Sequence, residues 1–390
     1  MRQAFQLMVF VVFFGCGPQV SGAPPQSRQD ALTAVTGFGT NPASLSLFLY
    51  EPAGLPTHVP LVVALHGCGQ TADVYATVGW DALADQHRFL VAYPQTAANS
   101  ACFDWFNANQ QTRSGPQVTS ILQMVQHLVA TRGVDASRVF VTGLSAGGAM
   151  TDVLLAVAPD VFSRGAVMAG LPFACATTQL QGFTCTSSPP DQTPMQWGAL
   201  VRAVAGGNPA PRVSLWHGSV DSTVRPANLQ EQVDQWTDVN GIDTTADVTT
   251  TVGIATRHQF QNSAGVTLVE SWSLAGMNHG TAIDTSSACG TAGAFVLDVG
   301  VCSSRFAAEF FGLTASNDGG VTGGGGGSAT GGGGGSMTGG GAASGGGGVA
   351  TGGGSAQGGG GAVNPVGGCG CTGIEPLAVG LAGLLFRRRR

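Results

Sequence analysis

Charge is scarce in this chain. Only 10% of its 390 residues are Asp, Glu, Lys or Arg, and the formal net charge is −6. Between the terminal tracts there is no run of Lys or Arg, which excludes the electrostatic footprint of a nucleic-acid-binding protein and argues against a strongly charged substrate. No Cys-x-x-Cys pair occurs, so the usual zinc spacing is missing. No glycine-rich phosphate motif, metal-ligand set or nicotinamide fingerprint is present, so neither a metal nor a cofactor is expected. An apolar run long enough for a permanent membrane span is also lacking. The N-terminal one, residues 5–14, has only the length of a signal-peptide core.

Glycine, by contrast, is abundant, at 62 residues, and 26 of these fall within residues 319–362. A tract of Gly, Ser, Ala and Thr buries too little apolar surface to offset its conformational entropy, so residues 317–368 read as a disordered linker. Residues 30–314 then form the folded region. Residues 1–23 read as an export signal with two competing ends. Ser21-Gly22-Ala23 has the small-x-small pattern of ordinary signal-peptide cleavage, whereas Gly15-Cys16 fits a lipoprotein signal with lipid on Cys16. Beyond the linker, residues 369–390 hold Cys369 and Cys371, an apolar stretch and four terminal arginines. They resemble the tripartite sorting tags of the myxosortase or rhombosortase type. A sorting protease is the partner this implies, and the membrane would be met only through terminal anchors. A 44-residue coil between domain and anchor would reach roughly 35–40 Å.

Nine cysteines fit an exported chain. Six lie in the folded region, an even number that allows fifteen pairings. The short separations favour Cys175–Cys185 and Cys289–Cys302 as local staples, leaving Cys68–Cys102.

Strand-length apolar runs alternate with helical patterns through the folded region. Residues 45–50, 60–65, 89–93, 138–142, 166–169, 213–216 and 266–272 read as strands, several of them continuously apolar, as buried parallel strands are. Residues 74–87, 117–131, 146–157, 227–236 and 303–311 read as helices. This alternation predicts an α/β fold with a mostly parallel central sheet covered by helices on both faces. Residues 173–198 break the rhythm and read as a stapled insertion near the sheet's edge or mouth.

The chemistry centres on Gly143-Leu144-Ser145-Ala146-Gly147. A strand precedes this pentapeptide and a helix follows it, the strand–turn–helix setting of a nucleophile elbow. Small neighbours let strand and helix approach around a strained serine. The helix start places the Ala146 N–H where a developing oxyanion would bind. A second donor is expected from the His66-Gly67-Cys68-Gly69-Gln70 turn, through the Cys68 N–H. His66 itself reads as structural, because an elbow of this kind takes its residues in the order Ser, acid, His. Asp221, just after the strand at 213–216, is the expected acid. His279, in the loop after the strand at 266–272, is the expected base. Asp243 and Asp284 are rival acids. His58, His87, His127, His217 and His258 fit the base less well by position.

Taken together, these blocks resemble the poly(3-hydroxybutyrate) depolymerase family of esterases, which shades into feruloyl and acetylxylan esterases. Further matching residues are Gly79-Trp80, Leu83-Ala84-Asp85, Tyr93-Pro94, Cys102-Phe103-Asp104-Trp105-Phe106, Pro159-Asp160-Val161-Phe162, Trp216-His217-Gly218 with Val224, and Gly276-Met277-Asn278. The likeness spans roughly residues 45–313. It implies an α/β-hydrolase fold, a triad of Ser145, Asp221 and His279, and Cys68 as oxyanion donor. Where relatives often carry an aromatic residue and Pro after the histidine, this chain has Gly280-Thr281. The expected substrate is a polymeric or oligomeric ester, with feruloylated or acetylated plant polysaccharide as the alternative. A tethered binding or adhesion protein without activity is the reading of another class. Gln70, Trp105, Phe106 and Trp197, with Phe103, are candidates for the substrate-binding rim.

Overall fold

A computed structural model describes residues 32–314, which fall within one compact unit. The export signal, linker and sorting tag expected at the two ends lie outside the described residues. No helix among the described residues is long and apolar enough to cross a membrane.

The chain opens with strands β1 (Thr33–Val35), β2 (Ser46–Tyr50) and β3 (Val59–Leu65). Two helices follow, α1 (Ala72–Tyr75) and α2 (Trp80–His87), and then β4 (Leu90–Gln95) and the short α3 (Ala98–Ala101). The long α4 (Pro116–Arg132) leads into β5 (Val134–Leu144), α5 (Ala146–Val157) and β6 (Arg164–Met168). Helices α6 (Gln179–Ser187) and α7 (Pro194–Arg202) precede β7 (Arg212–Gly218) and α8 (Ala227–Val239). The hairpin β8 (Val248–Val252) and β9 (Ala255–Gln261) is followed by β10 (Thr267–Leu274), β11 (Thr281–Ile283), β12 (Val296–Asp298) and α9 (Ser303–Phe311).

Ten strands form one sheet in the order β1-β2-β4-β3-β5-β6-β7-β10-β9-β8. The six central strands, β4 to β10 in that order, pair in parallel, while both flanks are antiparallel. The sequence explains the centre. All seven residues of β3 are buried. Leu61, Val63 and Leu65 face one core with α4, α5 and α8, and Val62 and Ala64 face the other with α2 and α9. A strand buried on both sides has no polar face to show, so it reads as an unbroken apolar run.

Three features depart from the expected pattern. The helix expected over 74–87 is broken at Gly79, whose φ of 99° no ordinary helix admits. A Cβ there would lie 3.2 Å from Cys289 Sγ and 3.3 Å from Gly290 N, so the break lets a C-terminal loop pack closely. The β8–β9 hairpin extends the sheet without an apolar signature, because β8 faces solvent. Its neighbour is anchored by the fully buried Glu270 on β10, which accepts from Arg257 Nε at 2.8 Å and from Ser214 Oγ at 2.6 Å. The stapled insertion at 173–198 contributes two helices not marked in the sequence pattern, α6 and the start of α7.

Disulfides join Cys68 to Cys102, Cys175 to Cys185 and Cys289 to Cys302, the pairing expected from the spacing.

Candidate active site

Strands β3, β5, β6, β7 and β10 run in parallel, so the loops leaving their carboxyl ends share one edge of the sheet. Ligand sites of open α/β sheets collect at this edge. Ser145 leaves β5 there with φ 58° and ψ −118°, a backbone that a side-chain-bearing residue adopts only under strain. Its N–H donates to Met168 O at 2.9 Å on the neighbouring strand, and its carbonyl accepts from Ala149 N at 2.8 Å in the first turn of α5. These bonds hold the strained residue in place.

Steric demands explain the small residues around it. A Cβ on Gly143 would lie 2.3 Å from Gly147 O, and one on Gly147 would lie 2.3 Å from Leu65 O. Both obstacles are backbone, which cannot step aside. Because Gly147 is bare, the first turn of α5 sits directly against the end of β3, bringing the turn at 66–70 beside the serine. Ala146 is the first residue of α5, so its N–H belongs to the group without an intrahelical acceptor.

The turn at 66–70 is braced from within. Gln70 Oε1 accepts from Gly67 N at 2.9 Å, Gln70 N donates to Gly67 O at 3.2 Å, and the disulfide to Cys102 fixes Cys68. His66 is buried, with Nδ1 donating to Gly67 O at 2.8 Å and Nε2 accepting from Thr96 N at 3.3 Å. Both ring nitrogens are thus used by the protein, in keeping with a structural role. Burial lowers its pKa more than the Gly67 bond raises it, which keeps the ring neutral.

Asp221 follows β7 and His279 follows β10, and the structure brings them together. His279 Nδ1 lies 2.7 Å from Asp221 Oδ2, with both side chains buried. Asp221 Oδ1 accepts from Thr223 N at 2.8 Å and Val224 N at 2.9 Å, which aims its second oxygen at the imidazole. Burial alone would raise the Asp221 pKa, but the hydrogen bond and charge of His279, with help from the Val224 N–H and His217, pull it below the usual carboxylate range. Asn278 ties the two loops together, its Oδ1 accepting from Ser222 N at 3.0 Å and from His279 N at 2.8 Å. Gly218 is needed for the same approach, since a Cβ there would lie 2.3 Å from Met277 O. The rival acids are engaged elsewhere. Asp243 Oδ1 accepts from Thr245 N, and Asp284 Oδ1 from Ser286 N, both in exposed turns.

The expected aromatic rim is corrected by the fold. Trp197 is fully buried between α7 and α8, donating Nε1–H to Glu231 Oε2 at 2.6 Å. Phe103 is fully buried against the His66 ring, and Trp105 is 6% exposed. These are core aromatics, drawn inward by the large apolar area each removes from water. Gln70 is 4% exposed, and its amide also donates to Ala294 O at 3.2 Å, so it is spent on bracing the turn. Phe106 alone of the group stays partly open, packed under Gly182 of α6. Sequence reasoning set His217 aside as a base and missed its place beside the acid: its Nε2 donates to Val224 O at 2.8 Å and lies 3.5 Å from Asp221 Oδ2. It also missed Phe295, whose ring stands edge-on to His279 at 5.9 Å. The His217-Gly218 motif marked the first; nothing in the local pattern marked the second.

The fold and the contents of its carboxyl edge define the class: an α/β-hydrolase. The solved acetyl xylan esterase from Aspergillus awamori matches with a TM-score of 0.62 and 26% identity, covering 73% of this chain and 99% of that one. Residues 44–261 match the family described as esterase PHB depolymerase. Over 291 residues the chain is 48% identical to poly(3-hydroxyalkanoate) depolymerase C of Paucimonas lemoignei, covering 73% of this chain and 70% of that protein. Feruloyl esterase B of Talaromyces funiculosus is 33% identical over 255 residues, 60% of this chain and 72% of its own. The chain belongs to the PHB depolymerase family of esterases.

Proposed function

We propose that this protein is an exported serine carboxylesterase that cleaves poly(3-hydroxybutyrate) or short hydroxyalkanoate oligomers through an acyl-enzyme on Ser145. The observation that carries the reading is the 2.7 Å pair of His279 and Asp221 at the sheet edge from which the strained Ser145 also projects. His279 takes the Ser145 proton as Oγ attacks the ester carbonyl. The oxyanion forms against the backbone N–H groups of Ala146 and Cys68. As the intermediate collapses, His279 returns the proton to the departing alcohol. Water, deprotonated by the same imidazole, then releases the acid. Asp221 holds the imidazole in the right tautomer and stabilises its charged form. Nothing in this sequence of steps calls on a metal or cofactor.

The choice of substrate rests on the 48% identity to a protein named as a polyhydroxyalkanoate depolymerase, against 33% for the feruloyl esterase. In the same reading residues 1–23 direct export, residues 317–368 form a tether, and residues 369–390 are exchanged for a surface anchor by a sorting protease. The test is a direct comparison of three substrates: a poly(3-hydroxybutyrate) film, methyl ferulate and acetylated xylan. Release of soluble hydroxybutyrate at the highest rate supports the proposal. Faster turnover of ferulate or acetylxylan moves the enzyme to plant polysaccharide.

A further inference from the structure

Phe295 sits where an aromatic residue has no folding reason to be. Its φ is 61°, in the left-handed region that suits Gly or Asn and that bulky L residues enter only at a cost. The residue is 46% exposed, so burial does not repay that cost. The surrounding structure nevertheless fixes it. Gly293 and Val296 exchange backbone hydrogen bonds of 3.0 and 3.1 Å across a tight turn with Phe295 near its tip. Phe295 O accepts from Thr281 N at 2.9 Å, and Ala294 O accepts from Gln70 Nε2. The segment is closed by the Cys289–Cys302 disulfide and by the pairing of β11 with β12. The turn therefore bridges the loop of the base on one side and the oxyanion turn on the other. Gly280 makes room for it, since a Cβ there would lie 2.8 Å from Phe295 O. A strained residue that its surroundings over-determine, at the edge of a reactive site, marks a functional contact.

The imidazole says which part of the substrate that contact meets. Nδ1 of His279 is held by Asp221, so Nε2 is the nitrogen that exchanges the proton with Ser145 and then delivers it to the leaving oxygen. The leaving alcohol therefore lies beside the imidazole. The Phe295 ring stands edge-on to that imidazole, 5.9 Å between centroids at 74°.

We propose that Phe295 is a specificity-determining residue, the apolar wall against which the alkyl branch of a secondary leaving alcohol packs. The substrate class it selects is esters whose carbinol carbon carries an alkyl branch, as every linkage of a 3-hydroxyalkanoate chain does. The inference rests on the ester-hydrolase reading of Ser145 and His279.

The test uses two butyrates with the same acyl group, methyl butyrate and sec-butyl butyrate, and follows acid release by titration. Both pass through one acyl-enzyme, so kcat/KM reports the alcohol side alone. Phe295→Ala lowers kcat/KM for sec-butyl butyrate about tenfold more than for methyl butyrate, the scale of losing an apolar contact in a pocket. The ratio of p-nitrophenyl acetate to p-nitrophenyl butyrate, which reads the acyl side, keeps its wild-type value. Phe295→Gly relieves the backbone strain, so its melting temperature equals or exceeds that of wild type while the alcohol discrimination is lost in the same way. An equal fall for both alkyl esters would make Phe295 a support for His279 and overturn the proposal. An unchanged sec-butyl to methyl ratio would overturn it too. Wild-type hydrolysis of methyl butyrate that disappears in Ser145→Ala secures the esterase reading on its own, so failure of the Phe295 inference is distinct from failure of that reading.

Discussion

At the scale of single residues, the proposed reaction moves one proton and holds one charge. Asp221 contributes no atom to the substrate. Its effect passes through Nδ1 of His279, which it keeps protonated and aimed. Asp221→Asn preserves the shape but favours the wrong tautomer, and kcat for p-nitrophenyl butyrate near neutral pH is expected to fall about 10⁴-fold with little change in KM. A loss below about tenfold would show that another group orients the base. Ser145, Asp221 and His279 were legible as candidates because the chemistry dictates residue type, chain order and position after a strand. The aromatic contacts were not. A sequence does not say whether a Trp or Phe faces the core or the mouth, and Trp105 and Trp197 went inward because each offers a large apolar area to bury. Phe295 escaped notice because its significance lies in a backbone angle and a neighbour distant in sequence.

At the scale of elements, helix α5, which follows Ser145, holds an unusual interior group. All twelve of its residues are buried, including Asp152. Asp152 accepts from Trp236 Nε1 at 2.7 Å and from Gln232 Nε2, both on α8, so the carboxyl joins the two helices. Burial pushes its pKa up to about 8, against the two hydrogen bonds that lower it. In the unfolded chain the group ionises near pH ~3.9. The folded state therefore binds a proton that the unfolded state gives up. The stability from this group is fully present below the unfolded pKa and is lost as pH rises toward about 8. Asp152→Asn removes the titration. Urea midpoints of wild type relative to this variant are expected to decline steadily across that window, and parallel curves would contradict the assignment. The main elements could be read from the sequence because continuous apolar runs and helical stripes are two-faced and one-faced burial written out directly. The break at Gly79 could not, since it answers to the Cys289–Gly290 loop far along the chain, and the β8–β9 hairpin could not, since β8 faces solvent and β9 is held by the Arg257–Glu270 ion pair instead of an apolar stripe.

At the scale of the whole molecule, low charge and the three disulfides among the described residues mark a protein whose order depends on covalent staples as well as on its core. Two of the bridges bear on the candidate site: Cys68–Cys102 fixes the turn at 66–70, the proposed oxyanion donor, and Cys289–Cys302 closes the segment that carries Phe295. Loss of a native bridge costs typically about 2–5 kcal/mol. Complete reduction is therefore expected to lower the melting temperature by more than about 10 °C, with the thiol titre rising by the six sulfhydryls of the three bridges. An unchanged melting temperature after full reduction would show that the core alone sustains the fold. The same staples suit an oxidising environment, in agreement with the proposed export.

Ester hydrolysis by Ser145 is most directly tested by following p-nitrophenyl butyrate with the wild-type protein and Ser145→Ala side by side, after confirming that both are folded. Wild-type turnover and a loss of several orders of magnitude in the variant are expected, the scale of removing a nucleophile. A folded wild type without activity, or a variant as active as wild type, would contradict the assignment and leave a protein that keeps the hydrolase fold for binding alone.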